Sequence, residues 1–185
     1  MNDLQLFIDE AYELAKAGHW KRLLSLWTDS PVLANRCSRY VNAGSKWTFL
    51  HQAAYFGHQD ACRSLIARGA SVDALTRNER TPADVAAEKG QQEVEQLLRR
   101  ASLGRDSSWQ PSPDPDVLPG SNCWEEGVEA VASVELFVAY GGSIVRIHKR
   151  STYYMDSFQR ILIGFHGSFD PPSDMGGYSL IPGYY

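Results

Sequence analysis

Thirty-three residues separate Gly57 from Gly90, and each glycine closes the same short pattern. One copy runs TFLHQAAYFGHQDACRSLIARGASVDA from Thr48 to Ala74, and the other TPADVAAEKGQQEVEQLL from Thr81 to Leu98. A period of this length constrains the fold strongly. One such unit cannot bury its apolar face alone and must stack on its neighbours. The residues fit paired helices. Thr48 and Thr81 stand where a hydroxyl caps a helix start, and Pro82 follows in the first turn, where no N–H is needed. Ala53-Ala54 and Ala86-Ala87 are small enough for adjacent helices to approach closely. Leu65-Ile66 and Leu97-Leu98 supply the apolar face of a second helix.

The register extends backwards. Gly18-His19 answers Gly57-His58, and Leu23, Leu24 and Trp27 continue at helical spacing, so residues 4–27 form a degenerate first unit. The step from Gly18 to Gly57 is six longer than the next, and the extra residues are expected as a long loop around DSPVLANRCSRYVNAGS.

The 33-residue period with T-P-L-H-x-A-A-like starts resembles the ankyrin repeat. The resemblance covers residues 4–103, about three units. It implies a protein-binding module that grips partners with its loop fingers and concave face. It also implies that His51 and His58, and by extension His19, are structural. The same geometry places Tyr55-Phe56 near the concave side, where the third unit has Glu88-Lys89 and the first has Lys16-Ala17. Adjacent aromatics there form a binding hot spot, unless the long first loop or the carboxy-terminal domain covers them. Trp47 and the finger residues Arg77, Asn78 and Arg80 complete the expected partner-binding set with Tyr55, Phe56, Glu88 and Lys89. Glu79 stands where the family usually has glycine, which implies a distorted finger turn.

From Gly104 to Asn122 the texture changes to GRDSSWQPSPDPDVLPGSN, read as a Pro/Ser/Asp-rich linker in which Trp109 pins the segment to a domain. Residues 123–185 read as a small antiparallel β-sheet or barrel. VELFVAY alternates, Gly141-Gly142 makes a two-residue turn, and SIVRIHK returns. Counting back from the turn pairs Val138 with Val145 and Leu136 with Ile147 on one apolar face. Phe137 then meets Arg146, and Glu135 meets His148, on the other. TYYM and RILIGF are two further strands around DSFQ, and the Tyr-rich tail with Leu180 and Ile181 closes the sheet. The fold class is therefore α+β, a short helical repeat stack followed by a small β domain.

Charge divides the chain. Residues 1–103 carry thirteen Lys or Arg against twelve Asp or Glu, a net of +1, whereas residues 104–185 carry five against ten, a net of −5. The acidic half argues against nucleic acid, which needs clustered cations, and suits a basic protein partner. A non-catalytic inhibitor, immunity or adaptor protein is the concrete form this suggests. No stretch approaches the roughly 18 apolar residues of a membrane span, and the start lacks a signal peptide, so a cytoplasmic location is expected. The three cysteines match no ligand spacing, and Cys62 is expected in the core. No metal or cofactor is implied. The rival reading is an enzyme built on His148, Asp156 and His166, the back-half residues whose types suit acid–base or metal chemistry. It requires those side chains to converge.

Overall fold

A computed structural model describes residues 3–103 and 107–164, together with the backbone of 177–179. The chain divides into two compact units, Met1–Leu103 and Gly104–Tyr185.

In the first unit, three helical hairpins follow the glycine period. They are α1 (Asp3–Lys16) with α2 (Trp20–Asp29), α4 (Phe49–Tyr55) with α5 (Gln59–Ala67), and α6 (Pro82–Glu88) with α7 (Gln92–Ser102). Gly18, Gly57 and Gly90 sit between the paired helices at φ of 78°, 72° and 70°. Only glycine reaches that left-handed region without a Cβ penalty, so each reverses the chain after its first helix. Helices α1, α4 and α6 stack as one row, with Ala53, Ala54 and Ala86 fully buried between them. An aromatic core fills the wider space at the first hairpin, where Phe49 lies 5.3 Å from Tyr12 and 5.8 Å from Trp27 between ring centroids.

The long loop expected between the first two units is instead largely a helix, α3 (Pro31–Arg39). Ser30 caps it by accepting from the Leu33 N–H, and Pro31 occupies its first turn. Ala34 and Cys37 are fully buried, and α3 packs on α1, α2 and α5. Its last residue, Arg39, donates to the Arg68 carbonyl at the end of α5, as does Ser38 Oγ at 3.3 Å. The insertion thus extends the outer layer and satisfies carbonyls that α5 leaves open.

The helix starts repeat with a chemical difference. In α4 the Thr48 hydroxyl accepts from the His51 N–H while His51 Nδ1 accepts from the Thr48 N–H at 3.1 Å. In α6 Thr81 and Asp84 exchange the same two bonds, the Thr81 N–H reaching Asp84 Oδ2 at 3.0 Å. The two fingers, before α4 and before α6, are joined by the Arg77 N–H donating to the Ser45 carbonyl at 2.9 Å. Lys46 and Glu79, one period apart, take φ of 63° and 58°. The finger turn keeps its left-handed residue even though glutamate replaces glycine.

The second unit holds two sheets. One has the order β1–β6–β5–β2, with β1 (Gly120–Ser121), β2 (Val128–Val131), β5 (Thr152–Met155) and β6 (Ile161–Leu162). The other has the order β3–β4–β7, with β3 (Leu136–Tyr140), β4 (Ser143–Ile147) and β7 (Gly177–Ser179). The β3–β4 hairpin has the register counted from its turn, Val138 opposite Val145 and Leu136 opposite Ile147. Gly141 and Gly142 take positive φ of 61° and 76°, which matches the twist of a two-residue hairpin. Among these strands pairing is antiparallel except between β1 and β6, which are parallel, as is the isolated bridge between Leu118 and Val138.

Much of the Pro/Ser/Asp-rich stretch read as a linker is built into this unit. Trp109 is buried in its core 5.5 Å from the Tyr140 ring, and its indole N–H donates to the Ile163 carbonyl at 3.3 Å. Leu118 exchanges backbone hydrogen bonds with β3 at Phe137 and Ala139. Gly120 must be glycine, because a Cβ there would lie 2.6 Å from the Ala139 carbonyl oxygen.

Candidate functional site

The finger bases and inner-helix ends of the first unit carry a row of ring contacts. Trp47, at the base of the first finger, lies 6.1 Å from Tyr55 at the end of α4, and Tyr55 lies 5.0 Å from Phe56. The Lys89 ammonium sits over the Tyr55 ring, 4.6 Å from its centroid, within cation–π range. All three aromatics are only half-buried. One cavity of about 540 Å³ opens against them, completed by Tyr12 and Lys16 of α1, Asn42 and Ser45 of the finger, and Gln52 of α4. A second, of about 360 Å³, shares Trp47 and Tyr55 and runs on to Asn78, Arg80, Glu88 and Lys89. The two make one trough along the repeat stack.

The trough walls are positioned by bonds beneath them. Asn42 Oδ1 accepts from the Gly44 N–H (3.1 Å), the Ser45 N–H (2.9 Å) and the Ser45 hydroxyl (3.0 Å), which shapes the first finger. Gln52 Nε2 donates to the buried Tyr12 hydroxyl at 3.2 Å, and burial raises that phenol above its ordinary value. His51, directly behind Trp47, is wholly buried, and its Nε2–H donates to the Arg80 carbonyl at 3.0 Å, bridging two repeats. Burial holds its pKa below the ordinary value, partly offset by that carbonyl and the carbonyl of Ala74. The neutral ring is the one the bonds require, since Nδ1 must accept. His51 is structural.

The structure thus brings seven of the eight expected partner-binding residues into one trough: Trp47, Tyr55, Phe56, Asn78, Arg80, Glu88 and Lys89. Arg77 lies apart on the exposed fingertip and lines neither cavity. Arg80 Nε and Glu88 Oε1 are 2.8 Å apart and spend their charge on each other. Tyr12 and Lys16 were not expected in the wall. The signal for Lys16 was present, because aligning Gly18 with Gly57 and Gly90 puts it on the positions of Tyr55 and Glu88.

The rival residues have separate engagements. His148 follows β4 and faces Glu135, with Nδ1 3.4 Å from its carboxylate, and both are substantially exposed. Asp156 follows β5 and is buried. It accepts from Ser121 Oγ (2.7 Å), the Phe158 N–H (2.9 Å), the Arg160 N–H (3.0 Å) and Arg160 Nε (2.8 Å). Those bonds fix the turn between β5 and β6 and tie it to β1. His166 lies outside the described residues.

The comparison with known families agrees with this geometry. Residues 15–106 match the family model of ankyrin repeats, in three copies. The chain carries an ankyrin-repeat domain. The match begins at the end of α1 and stops just past α7, so it spans α2, the last two hairpins, the α3 insertion and both fingers. Ankyrin repeats are in general protein–protein interaction modules. No helix among the described residues is long and apolar enough to cross a membrane.

Proposed function

We infer that the chain is a non-catalytic binding protein that holds a protein partner against the concave face of its ankyrin stack. The observation that carries this reading is the half-exposed aromatic row Trp47–Tyr55–Phe56 flanked by open volume. Rigid aromatic side chains in a preformed groove supply most of the energy in many interfaces. The second unit, at a net of −5, adds a long-range attraction for a basic surface elsewhere on the partner and speeds encounter. An inhibitor, immunity or adaptor role fits a module that binds without chemistry. Cys37 and Cys62 buried as thiols, with Cys123 also free, support a reducing, cytoplasmic setting.

The test is capture of a partner from the native cells by crosslinking, followed by affinity measurement with the Tyr55→Ala/Phe56→Ala variant. Loss of two hot-spot aromatics is expected to weaken binding by about 30-fold or more while the helical circular dichroism is unchanged. Unchanged affinity would exclude the concave face.

A further inference from the structure

The trough has an electrostatic pattern that its aromatic lining alone does not require. Among the described residues, Lys16 is the one charged residue lining the larger cavity. Around the smaller one, Arg80 and Lys89 stand against the single carboxylate of Glu88, and the Arg80–Glu88 pair at 2.8 Å is itself exposed, with side chains 55% and 50% accessible. Lys89 makes no ion pair among the described residues and rests on the Tyr55 ring. Lys16 contacts Glu13 one helical turn away at 3.2 Å, with side chains 55% and 67% exposed. A pair that exposed is held loosely, and a better-placed carboxylate replaces it at little cost. Glu88 is the carboxylate that lines the trough among the described residues, and Asp9, Glu10 and Glu13 line a neighbouring cavity that shares Tyr12 and Asn42 with it.

Resting on the concave-face reading, we propose that the trough takes an extended acidic segment of the partner. The segment lays an apolar or aromatic side chain on the Trp47–Tyr55 rings and sets carboxylates against Lys16 and Lys89. Three arguments converge. A neutral apolar segment would bury two ammonium groups without compensation, which is costly. A basic segment would be repelled by both, so the lysines reject it as well as selecting its opposite. An acidic segment replaces the water around each ammonium with a charge-assisted hydrogen bond, the stronger kind. The larger cavity, at about 540 Å³, falls in the size range that accommodates organic ligands and so has room for a large side chain.

The probe is a displayed library of random peptides, selected on the intact chain. Winning sequences are resynthesised with a fluorophore and their Kd values read by anisotropy. The expected winners combine Asp or Glu with Trp, Tyr, Phe or Leu. Their Kd rises with salt, and it rises about tenfold or more in Lys16→Glu/Lys89→Glu. Lys16→Gln/Lys89→Gln gives a smaller rise in the same direction and serves if the reversal disturbs folding. Winners that are basic or uncharged, winners indifferent to both lysine variants, or no winners at all would overturn the assignment. The captured partner separates the two readings. If it is weakened by Tyr55→Ala/Phe56→Ala but not by lysine reversal, the concave face stands and the acidic segment falls. If neither variant matters, the concave-face reading itself fails.

Discussion

Asp156 decides between two roles, and replacing it with asparagine separates them. The carboxylate is 3% exposed, and its partner Arg160 is 1% exposed. Its four accepted bonds hold the Phe158 and Arg160 N–H groups, the Ser121 hydroxyl and the Arg160 guanidinium. Asp156→Asn keeps the shape and can still accept from the turn. It also turns an NH₂ toward Ser121 or Arg160 and leaves the guanidinium buried without its counter-charge. Breaking one side of a buried ion pair costs about 3–5 kcal/mol. The unit Gly104–Tyr185 holds about 4–12 kcal/mol in all if it follows the usual stability per residue. The substitution therefore removes much of the stability of that unit and little from the ankyrin stack. Hydrogen exchange read by mass spectrometry resolves the two. Amides of β1, β5 and β6 should lose about two to four orders of magnitude of protection, while those of α4 and α6 should not change. Adding Arg160→Met removes the stranded charge and should recover part of the loss. If Asp156→Asn leaves protection within about twofold of the parent, Asp156 is not the structural anchor argued here, and its role in chemistry reopens.

The remaining expectations are simpler. Glu79 is exposed at φ of 58°, so Glu79→Gly should raise the urea midpoint by an amount equivalent to about 0.5–1 kcal/mol, the left-handed penalty less the added entropy of glycine. Glu79→Val should lower it. Cys37 and Cys62 are fully buried with thiols pushed up to about 12 by burial, so Ellman's reagent should find only Cys123 reactive in the native protein and all three after unfolding. His51 is held below its ordinary 6.5 by burial, so the folded state binds fewer protons than the unfolded. Its contribution is complete above pH 6.5 and declines as pH falls below that. His51→Asn should flatten the stability–pH curve between about pH 7 and 5, as measured by urea unfolding, and an unchanged slope would assign the dependence elsewhere.

The helical hairpins were legible because a glycine that must take positive φ closes the same pattern in each unit, at Gly18, Gly57 and Gly90, with the last two one 33-residue period apart. The β3–β4 register was legible for a similar reason, since Gly141-Gly142 leaves a single way to count back to Val138 and Val145. Helix α3 was not. Ser30-Pro31 is a sound start signal, but the buried residues behind it, Ala34 and Cys37, are too small to form an apolar stripe. The stretch from Ser107 to Ser121 was misjudged because its prolines and serines dominate any average. A few apolar residues decide its place, with Trp109 and Val117 buried and Leu118 packed against the core. In the trough, Tyr55 and Phe56 stood out as aromatics where the third unit has charges. Lys16 was legible from the glycine alignment, two residues before Gly18 as Tyr55 is before Gly57, whereas Tyr12 enters the wall only through the stacking of α1 beside α4.

Comparing repeats shows which trough residues the fold demands. Trp47 and Arg80 occupy the same place, one residue before the capping threonine, and Tyr55 and Glu88 occupy the same place at the end of the inner helix. In one repeat the two positions meet as rings 6.1 Å apart, and in the next as an ion pair at 2.8 Å. The scaffold is therefore satisfied by either chemistry, and the contact between finger and helix end does not need aromatics. The capping boxes teach the same lesson from the buried side. Histidine and aspartate both work there because each supplies the one acceptor that the threonine N–H lacks. At the caps the backbone sets the requirement, and the side chain merely meets it. At Trp47 and Tyr55 the backbone requires nothing, and the exposed ion pair alternative costs less apolar surface in water. On the proposed reading, large rings kept half-open at such a place meet a partner, whereas the buried His51 behind them serves the fold.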